Sequence, residues 1–382
     1  MEKTIYFDNA ATSFPKPPEV LEVLSRLPRE IALSPGRAAH CYSLAAGREI
    51  FAARELLAEF FGCADSSRVI FTANVTEALN LGIFGLLGSG DHVITTGLEH
   101  NSVMRPLRYL ESRGEIAISL LPVSAGGEID PAAIDRLRRP NTRLIIINHA
   151  SNVCGTIAPL AEIAARKGQA RLLVDAAQSA GHLPLAVDEA GIDLLAFTGH
   201  KGLFGPTGSG GFVMAADLPL RPLRMGGTGS NSEQENQPDF APDCYEAGTP
   251  NTLGIAALAA GIRFINRVGL AAIARHEQDL TDRLLAGLAA TSGITLYGPP
   301  RELPRCPVVS LRLAGCAVSE LALRLEREFG IMARAGLHCA PAAHRSLGTF
   351  PEGTLRLSLS WFNSREEVDS CLAALAHLAA AR

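Results

Sequence analysis

From about residue 50 to residue 215, short apolar runs alternate with stretches of helix-period apolar spacing. The runs cover residues 69–72, 92–95, 116–121, 143–148, 171–175, 193–197 and 211–214, and helical spacing stands out at 76–87 and 160–167. A run such as 144–147 is apolar at every position, which suits a strand buried on both faces. Strands alternating with helices predict an α/β chain whose seven-stranded sheet is mainly parallel. Ligands of such sheets collect beyond the carboxyl ends of the strands, so the polar residues just past each run are the ones to inspect.

The alternation stops at residues 224–251, a Gly-, Ser-, Asn- and Pro-rich stretch that reads as one long loop. Within it residues 226–243 carry Glu233, Glu235 and Asp239 and few apolar positions, the pattern of a solvated flap. A single long helical pattern follows, from 252 to about 290. Two alternating runs, 308–313 and 354–360, then flank a helix near 319–329 and predict a smaller α+β unit at the C-terminal end.

Composition narrows the class. A chain of 382 residues with 47% hydrophobic and 19% charged positions is a folded globular protein of two or three domains. Its net charge of −4 gives no basic surplus to call for nucleic acid or an anionic membrane. The stretch Met1–Asp8 shows no basic-then-apolar leader, and no apolar run approaches a membrane span. Eight cysteines without a CxxC pair are too sparse for a disulfide scaffold, so a reducing cytoplasm is expected.

The candidate chemistry begins at Lys201, which follows an apolar run and precedes a glycine-rich turn in TGHKGLFGPTG. A lysine desolvated in a cleft is a Schiff-base candidate. Asp175 closes an earlier run in VDAAQ, 26 positions before it. A carboxylate and a lysine at neighbouring strand ends suit pyridoxal phosphate, whose ring nitrogen needs an acid partner and whose aldehyde needs an amine. Where strand gives way to helix at Thr72–Asn80, free backbone amides near Asn74 and the hydroxyl of Thr76 form an anion site.

These pieces, with YFDNAATSFPKP, EHNS, EAGTPNT and RAGLHCAP, give the sequence a resemblance to the class V aminotransferase family of fold-type I pyridoxal-phosphate enzymes. Within it, the chain is most similar to the group II cysteine desulfurases and selenocysteine lyases. The resemblance implies three regions: residues 1–15 belong with the small domain, 16–260 form a large cofactor-binding domain, and 261–382 form a small α+β domain. It implies that His100 stacks on the cofactor ring and relays protons. Asn152 is expected to touch the phenolic oxygen or the substrate, and Asp175 and Gln178 to pair with the ring nitrogen and phenolic oxygen. Thr76, Thr198 and His200 are expected to bind phosphate, and Lys201 to hold the aldehyde as an imine. Thr198 departs from the Ser of many relatives but keeps the hydroxyl. Thr249 is expected to reach the phosphate of a neighbouring subunit, which implies a homodimer.

In the same resemblance, Cys339 is the thiol that takes sulfur from L-cysteine as a persulfide and passes it to an acceptor protein, and Arg356 clamps the substrate carboxylate. Without the resemblance, Arg356 reads as a strand arginine facing water. Many group II relatives carry a second His where this chain has Leu337. Arg334, His338 and His344 are expected to surround Cys339 with positive charge that favours a thiolate. A metal site at His338, Cys339 and His344 lacks a fourth ligand, so no metal is expected. Cys63, Cys154, Cys306 and Cys371 read as inert thiols. The expected activity is cysteine desulfuration. Selenocysteine lyase is the alternative, and a thiol-independent class V aminotransferase or lyase a more distant one.

Overall fold

The computed structural model describes residues 4–35, 40–231 and 233–381. The chain opens with a short strand, β1 (Ile5–Tyr6), then helices α1 (Pro18–Glu30) and α2 (Cys41–Phe60). Pro18 starts α1 at a position where its missing N–H costs nothing. The alternating region follows as β2 (Val69–Thr72), α3 (Val75–Leu86), β3 (Asp91–Thr96), α4 (Asn101–Ser112), β4 (Ile116–Leu121), α5 (Ala133–Leu137), β5 (Thr142–Asn148), α6 (Leu160–Arg166), β6 (Arg171–Asp175), β7 (Leu194–Thr198) and β8 (Gly210–Met214).

These strands form one seven-stranded sheet in the order β2-β8-β7-β6-β5-β3-β4. The fold is α/β with a mainly parallel sheet, as expected. β8 is the exception and runs antiparallel to both β2 and β7. Side chains of the central strands alternate between two cores. Ile145, Ile147, Leu172, Val174, Leu195 and Phe197 face one, while Leu144, Ile146, Leu173, Leu194 and Ala196 face the other. That alternation explains why the runs are apolar throughout: both faces are covered. Asn148, Asp175 and Thr198 consequently close adjacent strands at the same edge of the sheet.

The pattern from 252 to 290 folds as two helices rather than one. α7 (Thr252–Val268) and α8 (Leu270–Ala289) meet at an angle of 81°. Gly269 makes the corner with φ +92°, a conformation that side chains resist. Ile262 and Ile265 of α7 pack into a core of the large sheet, and Leu280 and Leu284 of α8 into a third core.

That third core draws on β9 (Ile294–Tyr297), β10 (Val308–Leu313), α9 (Val318–Phe329), β11 (Ile331–Met332), β13 (Thr354–Ser358) and α11 (Arg365–Ala380), while β12 (Arg334–Gly336) completes the small sheet and α10 (Pro341–Ser346) packs Ala343 into a separate cluster with Leu98 and Val153. The small sheet is antiparallel in the order β12-β13-β10-β9, and β1 pairs with β11. Ile5 and Phe7 lie in the same core, so the N-terminal strand packs with C-terminal elements. Among the described residues, no single helix is long and apolar enough to cross a membrane.

Candidate active site

A cleft of about 350 Å³ opens where the carboxyl ends of β6 and β7 meet the small sheet. Lys201, three residues past β7, faces into it, as do Asp175, His100, Asn152, Arg356 and Cys339. Burial draws the Lys201 ammonium down to about 8; Asp175 opposes that shift, and Arg356 and Arg334 add to it. Asp175 is itself pushed above the ordinary carboxylate range by burial, while its Oδ1 accepts the Ala177 amide at 2.9 Å.

On the opposite wall, Asn74 caps α3 by accepting the Glu77 amide at 3.1 Å, leaving the first turn open to the cleft. A Cβ on Gly210 would meet the Asn74 backbone at 2.8 Å, so this glycine permits the close approach of β8. Thr76 Oγ1 stands 2.7 Å from Ser102 Oγ, and Ser102 Oγ is 2.9 Å from His100 Nδ1. Burial, reinforced by Lys201, lowers His100 to about 4, so its imidazole is neutral at physiological pH. Ser102 closes the EHNS motif but was assigned no role from sequence; the hydroxyl contacts to Thr76 and His100 give it one.

Gln178 donates from Nε2 to the Ala10 carbonyl at 2.9 Å, which fixes its amide beside the N-terminal segment. Asn152 donates from Nδ2 to the His338 carbonyl at 2.7 Å. Arg356 is 1% exposed, so the picture of a water-facing strand arginine is corrected. Its Nη2 donates to Asp8 Oδ1 at 2.6 Å and its Nη1 to the Asn152 carbonyl at 3.1 Å. Arg334 lies directly opposite Arg356 across β12 and β13, a like-charge pairing that Asp8 offsets. Asp8, inside the YFDNAATSFPKP motif, is the second site residue whose role the sequence did not reveal.

Cys339 is exposed at the cleft, with Arg334 Nη2 3.9 Å from its sulfur. Its carbonyl accepts the Asn101 amide at 2.8 Å, joining this loop to α4. His338 and Cys339 hold φ of +48° and +57°, a left-handed pair costing about 1–3 kcal/mol per residue, the kind of strain that collects at functional loops. The expected ring of positive charge needs correction. Burial lowers His338 to about 2 and His344 to about 4, and both are neutral. His338 Nε2 donates to the Thr354 carbonyl at 3.1 Å, and His344 Nδ1 lies 2.7 Å from Thr349 Oγ1. Of the three expected cations, only Arg334 carries charge beside the thiol.

Cys63, Cys154, Cys306 and Cys371 are buried, and burial raises the thiols of Cys306 and Cys371, the latter to about 12. No cluster of three or more His, Cys, Asp or Glu side chains able to hold a metal occurs among the described residues. Thr249 lines a separate cavity with Thr72, Glu77 and Arg224 and does not line the cleft of its own chain.

The class-V aminotransferase profile matches residues 5–371. A probable cysteine desulfurase from Methanothermobacter thermautotrophicus is 35% identical over 373 residues, spanning 95% of this chain and 92% of that protein. A probable cysteine desulfurase from Mycobacterium leprae is also 35% identical over 96% of this chain, which spans only 60% of that longer protein. The apo structure of a cysteine desulfurase from Thermococcus onnurineus NA1 superposes with a TM-score of 0.93 at 33% identity, covering 99% of this chain and 95% of that one.

Proposed function

The chain belongs to the class-V aminotransferase family, and on that footing we propose that it is a pyridoxal-phosphate-dependent L-cysteine desulfurase. The observation that carries this reading is the convergence of Lys201, Asp175, Arg356 and Cys339, from separate stretches of chain, on one cleft. The relatives described above are named for cysteine, which favours it over selenocysteine.

The cleft residues fit the cofactor. Thr198 Oγ1, His200 Nδ1, Asn152 Oδ1 and Arg356 Nε are all buried without a protein partner. Buried polar atoms are ordinarily paired, so such a concentration suits a ligand with phosphate, ring and carboxylate ends. Thr76, Thr198, His200 and the amides after Asn74 would hold the phosphate, and Asp175 the ring nitrogen. Gln178 and Asn152 would meet the phenolic oxygen, His100 the ring face and Lys201 the aldehyde carbon. When bound, pyridoxal phosphate supplies an electron sink for the charge left as the substrate's α-proton departs.

The chain's own groups do the rest. Arg356, held by Asp8 and the Asn152 carbonyl, presents its unpaired Nε edge to the substrate carboxylate. Burial lowers the Lys201 ammonium below the ordinary lysine range, which favours the neutral amine that can take the α-proton at Nζ. The Ala177 amide holds Asp175 Oδ1 at 2.9 Å, which fixes the carboxyl that would face the ring nitrogen. The Cys339 thiolate attacks the substrate sulfur as the substrate's C–S bond breaks. One enzyme thiol and one cysteine thereby become one enzyme persulfide and one alanine, with the returning proton delivered to carbon.

Exposure of Cys339 supports onward transfer of its sulfur to an acceptor protein, and the position of Thr249 away from its own cleft supports a homodimer in which it serves the partner's site. The test is mass spectrometry after brief exposure to cysteine. An extra sulfur on the Cys339 peptide, absent from Cys339→Ala, is the expected result; a wild-type protein that forms alanine with no such adduct would refute the assignment.

A further inference from the structure

Four donors from the N-terminal segment converge on one carbonyl. The His200 oxygen accepts from the Ser13 amide at 2.9 Å, Thr12 Oγ1 at 3.0 Å, Lys16 Nζ at 2.9 Å and Ser13 Oγ at 3.3 Å. Lys16 Nζ also donates to Ser13 Oγ at 2.8 Å. A carbonyl has two lone pairs, so the Ser13 amide and the ammonium, a charge-assisted donor, dominate this arrangement. The oxygen belongs to the peptide that leads directly into Lys201.

We propose that Lys16 is a positioning residue for Lys201, acting through the His200 carbonyl to fix the peptide from which the reactive amine projects. The proposal rests on the desulfurase reading for its consequence in catalysis, but the anchor itself stands on contacts within the chain.

Placing an ammonium here is expensive. Burial lowers Lys16 to about 8, and among the described residues no carboxylate pairs with it. A residue that only capped the turn after Thr12 has solvent-facing alternatives at less cost. The charge stays on at neutral pH, and a neighbouring ionisable side chain, His200, is itself held neutral near 4 by burial and by the charges of Lys201 and Lys16.

The same segment grips the cleft elsewhere. The Ala10 carbonyl holds Gln178, the Ala10 amide donates to Ser358 Oγ at 2.9 Å, and Asp8 holds Arg356. Lys16 therefore closes a strap that begins in the core of the small sheet, at Phe7, and ends on the turn carrying the amine. A positional error of about 1 Å at a reacting group costs on the order of 100-fold in rate, so a strap of this kind has kinetic consequence.

The test compares wild type, Lys16→Met, Lys16→Arg and Lys16→Gln, with Thr12→Val as a milder probe should Lys16→Met fail to fold. Amide hydrogen exchange across 197–205 in the cofactor-free proteins reads the anchor directly. Exchange about 10-fold faster in Lys16→Met, with wild-type protection in Lys16→Arg and an unchanged melting temperature, is expected. In the cofactor-loaded proteins, Lys16→Met should release pyridoxal phosphate about 10-fold faster and lose kcat by a similar factor, with KM for cysteine little changed. Wild-type protection, cofactor release and kcat in Lys16→Met would overturn the proposal, as would equal loss in Lys16→Arg. Were wild type itself to form no persulfide, the desulfurase reading would fall while the exchange data still decided the anchor.

Discussion

Glu99 shows how burial sets the chemistry of a single residue. Its Oε1 accepts the Thr96 hydroxyl at 2.7 Å and the Asn148 amide at 3.0 Å, and burial lifts its carboxyl to about 8. The folded state therefore prefers the protonated form. This contribution is fully present below the unfolded pKa near 4.5 and is lost as pH rises through 8. Glu99→Gln keeps both acceptor contacts and removes the titration. Urea unfolding at pH 5 and pH 8 should show wild type losing stability relative to Glu99→Gln, on the order of several kcal/mol at about 1.4 kcal/mol per pKa unit. Parallel behaviour of the two proteins would contradict a buried neutral carboxyl. Charge states of this kind escape sequence reading. The expectation that His338 and His344 are cations failed because their burial depends on Thr354, Thr349 and the surrounding fold, none of which their spacing encodes.

At the scale of elements, the strands of the large sheet were legible because a doubly covered strand is apolar at every position, as 144–147 are. Lys201, Asp175 and Asn74 were legible for a related reason: a polar residue ending such a run stands out. Asp8 was not, since its partner Arg356 lies 348 positions away and β1 is two residues long. The corner between α7 and α8 also went unread. Apolar spacing continues on both sides of Gly269, and a lone glycine is tolerated in helical patterns. No atom lies within 4 Å of a Cβ built there, so the residue is needed for its backbone angles rather than for space. Gly269→Ala is expected to cost about 1–3 kcal/mol in chemical denaturation from strain at φ +92°. An unchanged midpoint would show that the corner relaxes without it.

For the whole molecule, the proposed dimer makes a prediction about shared sites. Subunits carrying Lys201→Ala lack the amine but retain Thr249, while Thr249→Asp subunits retain the amine and bring a carboxylate toward phosphate. If Thr249 serves the partner, mixed dimers contain one intact site, and alanine formation rises above that of either parent. A Thr249 acting within its own subunit would give no such gain. Assays after subunit exchange read the difference.

The openness of Cys339 carries a liability as well as a use. A sulfur reachable by a protein acceptor is reachable by peroxide, while the thiols of Cys306 and Cys371 are sealed in the interior. Brief treatment should add oxygen to the Cys339 peptide and stop alanine production, with recovery in dithiothreitol while the adduct is a sulfenic acid and none once it reaches the sulfinic stage. A molecule built this way depends on the redox state of its surroundings: of its two exposed thiols among the described residues, Cys41 and Cys339, oxidation of Cys339 is the one expected to stop turnover while the fold stays intact.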